Sequence, residues 1–190
     1  MNPVRLLLPA LLALMFAVPA AAALQGENLL VPPLVGWQQA YKAAGNGKNM
    51  VEYVPAGETA DNWTEMATIE VFLDSGGYDP AVLEQKVVEG FRLNCDGLHV
   101  DDLGGGTASK LPAKRWLTYC SKVKGLGVGE ITYFEAISGK TNFYLIQRSW
   151  RGAPFDLTSP PVTQTKVKEW EQYMNGLAVC DSRDPARPCP

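Results

Sequence analysis

A chain of 190 residues, 46% hydrophobic and 19% charged with a formal net charge of −3, is long enough to bury one full core and too apolar to stay disordered. Its 17 Lys and Arg against 20 Asp and Glu form no basic run, which argues against nucleic acid or anionic lipid as a partner. With one histidine and four cysteines, few catalytic or metal-binding arrangements are open to it.

Residues 1–23 have the layout of a secretory signal peptide. Arg5 precedes an uncharged run that starts at Leu6, and Pro19 with Ala20 to Ala23 supplies small residues for an A-x-A cleavage site. Pro9 and Pro19 interrupt a run already shorter than the roughly 20 apolar residues of a spanning helix, so no stable membrane span is expected after cleavage. No cysteine directly follows the run, so a lipid anchor is not expected either. The implied location is periplasmic or extracellular, where nucleotide cofactors are scarce and disulfides persist.

Residues 24–180 read as a single α+β domain. Leu29 to Trp37, with Pro32 and Pro33, is an extended opening segment because each proline restricts the residue before it. Met50 to Val54 is a short strand and Thr64 to Leu73 a longer one. In the longer strand Ala67, Ile69, Val71 and Leu73 point one way, while Met66, Thr68, Glu70 and Phe72 point the other. After Asp74-Ser75-Gly76-Gly77, Asp79 caps a helix whose first residue is Pro80. Its apolar stripe is Leu83, Val87 and Phe91 with Val88, and it stops near Asn94.

A glycine-rich loop at Gly104-Gly105-Gly106 then precedes three strands, Arg115 to Val123, Glu130 to Ile137 and Asn142 to Trp150. Short glycine-bearing connections make them an antiparallel meander. Beyond Ser159-Pro160-Pro161, the spacing of Val167, Trp170, Met174 and Leu177 predicts a second helix anchored on the sheet by Trp170. Residues 181–190, with Pro185, Pro188 and Pro190, form an irregular tail. The sum is an antiparallel sheet of five or more strands with two packed amphipathic helices.

Cys95, Cys120, Cys180 and Cys189 contain no C-x-x-C pair, and zinc sites present ligands in tight pairs. Disulfides are therefore expected. Of three possible pairings, Cys95 with Cys120 and Cys180 with Cys189 closes the shortest loops.

Gly139-Lys140-Thr141 lacks the earlier glycine of a phosphate-binding loop, its position being Phe134, and reads as a hairpin turn. Gly125-Leu126-Gly127-Val128-Gly129 lacks dinucleotide-binding spacing. No cofactor is assigned. His99 has no nucleophile motif to serve and reads as a surface or strand-end residue; Asp101-Asp102 reads as a solvated turn without the ligand spacing of a calcium loop. The richest candidate is the loop where Glu58, Asp61 and Glu65 surround Trp63, as a ligand or partner site on a rigid scaffold. A tryptophan at a strand entrance also serves as core or as a hydrophobic lid. Asn62-Trp63-Thr64 fits a glycosylation acceptor, which matters only in a eukaryotic source.

The element order, with Gly36-Trp37 at the opening and Trp170 on the closing helix, resembles the PsbP-like fold over about residues 36–178. That fold is shared by a photosystem II subunit, a Ran-binding nuclear protein and many small bacterial envelope proteins. Glu52-Tyr53-Val54-Pro55-Ala56-Gly57-Glu58-Thr59, followed by Asn62-Trp63-Thr64-Glu65-Met66, also resembles a segment of secreted bacterial proteins. The resemblance implies a sheet sandwiched by helices and an accessory role, and it supplies no catalytic residue; the two cysteine pairs are not a feature of that fold. The expected function is a secreted or periplasmic accessory protein that binds a protein or small ligand without catalysis. Two alternatives stand beside it: an envelope hydrolase using Glu58, Asp61 or Glu65, and a purely structural secreted protein.

Overall fold

The computed structural model describes residues 24–190; the segment 1–23, expected from its sequence to be a signal peptide, lies outside the described residues. Nine strands and two helices are present among them, with β1 at Glu27–Leu30, β2 at Trp37–Gly45, β3 at Lys48–Pro55 and β4 at Glu65–Phe72. Helix α1 covers Pro80–Asn94, followed by β5 at Leu98–Ala108, β6 at Leu111–Cys120, β7 at Gly129–Ser138 and β8 at Phe143–Gly152. Helix α2, Gln164–Asn175, and β9, Ala178–Asp181, close the chain. Seven strands form one antiparallel sheet in the order β2-β3-β4-β8-β7-β6-β5, and β1 pairs with β9 in a separate two-stranded sheet.

Both helices start where their caps dictate. The Asp79 carboxylate accepts the Ala81 N–H at 2.9 Å and Pro80 takes the first helical position; Thr163 caps α2 by accepting the Lys166 N–H at 3.3 Å. Each helix buries its stripe on a different face of the sheet, which makes the α+β sandwich. Trp170, Met174 and Leu177 pack with Leu117, Ile131, Ile137 and Ile146, while Val88 packs with Trp116, Phe134, Phe143 and Leu145. Trp116 and Phe134 stack with ring centres 4.8 Å apart. At the end of α2, Gly176 permits close approach of the opening segment: a Cβ there would lie 2.7 Å from Pro32 Cγ.

Both disulfides pair as expected, Cys95 with Cys120 and Cys180 with Cys189. The first ties the end of α1 to the end of β6. Three segments differ from the sequence reading. Strand β2 was not anticipated; it forms a hairpin with β3 through Asn46-Gly47, both at positive φ (51° and 71°), the combination a two-residue primed turn requires. The expected glycine-rich loop and the expected solvated turn at Asp101-Asp102 are both part of β5. There, pairing with β6 overrides glycine's poor strand propensity, and a bulge between Asp102 and Gly105 accommodates Gly104 at φ 91°. Lastly, Asp181 begins no irregular tail but ends β9 opposite Glu27.

Candidate functional site

Helix α1 lies over β5, β6 and β7, so the same sheet face continues beyond it without a helix above. Along β8 the residues on this face change from Phe143 and Leu145 beneath the helix to Gln147, Ser149 and Arg151 outside it; along β4 they change from Phe72 to Glu70 and Thr68. Register aligns the polar positions: Glu52 opposite Thr68, Thr68 opposite Gln147, and Arg151 opposite Glu130. Directly opposed residues share a face. The result is a polar cavity of about 280 Å³ floored by four strands and walled by Ala60 and Trp63 of the loop before β4.

Trp63 is 8% exposed and packs with Val54, Met66 and Ala40. The Arg151 guanidinium stands 3.9 Å from its ring centre, a cation–π contact that holds the cation against the cavity wall. Arg151 also donates to Glu130 Oε2 through Nη2 at 3.0 Å and Nε at 3.3 Å. Behind them the Thr132 and Ser149 hydroxyls are 3.0 Å apart. On the other side Glu70 accepts from Lys48 Nζ at 2.6 Å and from Gln147 Nε2 at 3.0 Å. Glu52, by contrast, has no hydrogen-bonding or ion-pairing partner among the described residues. Burial pushes its carboxyl above the usual range and the neighbouring Glu70 adds to the shift, with Arg151 opposing.

Of the four residues singled out in the sequence, only Trp63 lines this cavity. Glu58 braces its own loop, accepting the Thr64 N–H at 2.8 Å and the Thr64 hydroxyl at 2.7 Å. Asp61 is exposed. Glu65 points to the opposite face, where Lys166 of α2 lies 3.0 Å away and Arg148 3.6 Å away. The three carboxylates do not converge. His99 sits in β5 with its ring 2.8 Å from Asp101. Among the described residues, no group of three or more His, Cys, Asp or Glu side chains is arranged to hold a metal ion.

The residues that sequence reasoning missed are Glu52, Glu70, Glu130, Gln147, Ser149 and Arg151. One signal was legible: in β4 the face opposite the apolar one carries Thr68 and Glu70, polar residues in the middle of the sheet.

No protein-family model and no curated protein sequence matches the chain. Among solved structures it is similar to the Saccharomyces cerevisiae Ran-binding protein Mog1p, with 13% identity over 80% of this chain and 85% of that one and a TM-score of 0.42. A mutant of the protein Mog1 gives 13% identity, 76% and 78% coverage and a TM-score of 0.42. LpqN of Mycobacterium tuberculosis, involved in cell envelope biogenesis, gives 11% identity, 85% and 87% coverage and a TM-score of 0.41. These likenesses concern the fold alone. Among the described residues, no helix is long and apolar enough to cross a membrane.

Proposed function

We propose that this chain is a non-catalytic accessory protein of the periplasm or extracellular space, and that the Trp63 cavity binds a small ligand carrying a cationic or multiply hydrogen-bond-donating group. The observation that carries the reading is Glu52. A carboxylate set into a polar cavity beside a second carboxylate, with no cation of its own, is costly to keep, and a donor-bearing ligand would supply the missing partner. The other groups of the cavity are already engaged: Arg151 with Glu130, and Glu70 with Lys48 and Gln147. They form a fixed frame around one open acceptor, which favours binding over acid–base chemistry by a paired set. The predicted export signal and the two disulfides support a location outside the cytoplasm.

The test is isothermal titration with putrescine, a diamine small enough for the cavity, against the wild type and Glu52→Gln. Saturable binding that falls at least tenfold in the variant is expected. Absence of binding to the wild type, or equal binding to both proteins, would overturn the reading. Glu52→Gln breaks no bond within the protein, so its fold is a fair control.

A further inference from the structure

Helix α1 leaves a strip of its own sheet face uncovered over β4 and β8, and the Trp63 cavity takes one end of it. At the other end, against the first turns of α1, lies a separate apolar cavity of about 240 Å³ lined by Phe72, Ser75, Tyr78, Leu83, Lys86 and Phe143. Phe72 and Phe143 are register partners on β4 and β8, and Tyr78 stands in the connection before α1. The Phe143 ring packs edge to face with both of the others, 6.1 Å from Phe72 and 5.5 Å from Tyr78 between ring centres. Phe72, Tyr78 and Leu83 are each half-buried, so the cavity opens to solvent between them.

Lys86 carries the only charge among the lining residues. It follows Leu83 by three positions in α1, which puts both on the flank of the helix that borders the cavity. Its ammonium stands 5.3 Å from the Tyr78 ring centre; it is exposed and has no ion-pair partner among the described residues. A second ammonium, that of Lys48, stands 5.8 Å from the Phe72 ring centre, but Glu70 holds it at 2.6 Å. Two of the three rings are therefore already met by cations. A cationic ligand would find like charges on both sides, whereas an anion would give Lys86 the partner it lacks.

We propose that this cavity is a separate binding site, independent of the Trp63 cavity, for a small carboxylate with an aromatic body. The aryl group packs against Phe72, Tyr78 and Phe143, which offer edge and offset contacts, and Leu83 closes the slot from the helix. The carboxylate stays at the mouth and accepts a hydrogen bond from Lys86 Nζ. An apolar pocket with one polar group to fix orientation is the ordinary form of a small-molecule site. Lys86 also borders a hollow of about 320 Å³ along Val87, Gly90, Phe91 and Val123, but Glu130 lines it as well, which disfavours an anion there.

The experiment is an NMR titration with 3-phenylpropionate, its neutral counterpart 3-phenylpropanol and its cationic counterpart 3-phenylpropylamine. Saturable binding of the acid is expected, with NOEs from its ring to the Tyr78 and Phe143 rings and an affinity about fivefold above that of the alcohol, the upper end for a solvent-facing ion pair. The amine, whose ammonium suits the Trp63 cavity instead, should give no NOEs to these rings. Lys86→Gln, a change at an exposed side chain, should weaken the acid by about the same fivefold and leave the alcohol unchanged, so the alcohol reports that the slot is intact. Glu52→Gln should leave the acid unchanged, which keeps this site separate from the Trp63 cavity. No saturable binding, equal affinity for acid and alcohol, or NOEs to Val87 and Val123 in place of the rings would overturn the proposal. So would an unchanged affinity in Lys86→Gln, a loss shared equally by acid and alcohol in that variant, or a loss of acid binding in Glu52→Gln.

Discussion

The carboxylate of Glu27 accepts the backbone N–H of Lys140 at 2.7 Å, across 113 residues of sequence. The next two amides converge on the same group, Thr141 at 3.2 Å and Asn142 at 3.0 Å, and the Tyr144 hydroxyl donates to it at 3.1 Å. Gly139-Lys140-Thr141 is thus a hairpin turn, as its sequence implied, but a turn whose successive N–H groups cradle an anion. The anion belongs to the chain itself. This cradle locks β1 onto the β7–β8 hairpin, while Arg187 in the tail stands 3.8 Å from the same carboxylate.

Glu27→Gln should therefore destabilise the protein by about 3 kcal/mol, since the neutral amide leaves buried donors facing one acceptor and an NH2 group. Gly139→Ala should do comparable damage, because its Cβ would lie 2.1 Å from Glu27 Oε1. Lys140→Ala removes only an exposed ion pair with Asp184 and keeps the amide, so less than about 1 kcal/mol is expected. Urea unfolding of the three variants checks this; a Lys140→Ala loss as large as that of Glu27→Gln would show that the side chain, not the backbone cradle, does the holding.

Glu52 gives a pH signature of opposite sign to most carboxylates. Its folded carboxyl is raised, by burial first and by Glu70 second, so the folded state takes up a proton more readily than the unfolded chain. Glu52 therefore costs stability at pH 7, and the cost fades as pH falls towards about 4, where the unfolded carboxyl also protonates. Glu52→Gln should raise Tm at pH 7, by less than about 3 °C because much of the group still faces solvent. It should leave Tm unchanged at pH 4. Thermal melts across that range decide it, and a variant less stable at pH 7 would mean that Glu52 has a favourable partner.

Elements with local signatures were legible in the sequence. Asp79 and Pro80 start α1, the Val167, Trp170, Met174 stripe seats α2, and glycine-bearing turns separate the meander strands. Strand β2 was not legible because an edge strand with Gln38, Gln39 and Lys42 has no apolar face to show. In β5 the glycines read as loop, since only the partner strand makes them a strand. The Trp63 cavity was half legible: Trp63 stood out, but Glu52, Glu70, Glu130 and Arg151 come from four strands and meet only through register. Glu58 and Glu65 were near it in sequence and are turned elsewhere by a local brace and by strand alternation.

The disulfides should contribute unequally. Cys95–Cys120 spans 25 residues and Cys180–Cys189 spans 9, and chain-entropy reasoning gives about 3.5 kcal/mol for the first and about 2.5 kcal/mol for the second. The double replacement Cys95→Ala with Cys120→Ala should lower stability more than Cys180→Ala with Cys189→Ala. Denaturant titration under non-reducing conditions measures both. The reverse order would show that the tail, with its clamp of Asp181, Asp184 and Arg187 around β1, depends on its disulfide beyond loop entropy.

Trp170 and Trp63 separate the core from the cavity wall. Trp170 is 0% exposed at the centre of the larger cluster, so Trp170→Ala should cost about 3 to 5 kcal/mol. Trp63 is also buried, in keeping with a tryptophan at a strand entrance serving as core or lid, but it belongs to a small cluster with Val54 and Met66. Its truncation should cost about 3 kcal/mol, at the low end for a buried tryptophan and less than at Trp170 because fewer apolar groups surround it, with part of the loss coming from the Arg151 contact. Trp63→Phe keeps a ring under Arg151 and should recover more than half of that loss. Equal large losses at both positions would make Trp63 a core residue with no separate role at the cavity, and failure of Trp63→Phe to recover stability would show that the Arg151 contact contributes nothing.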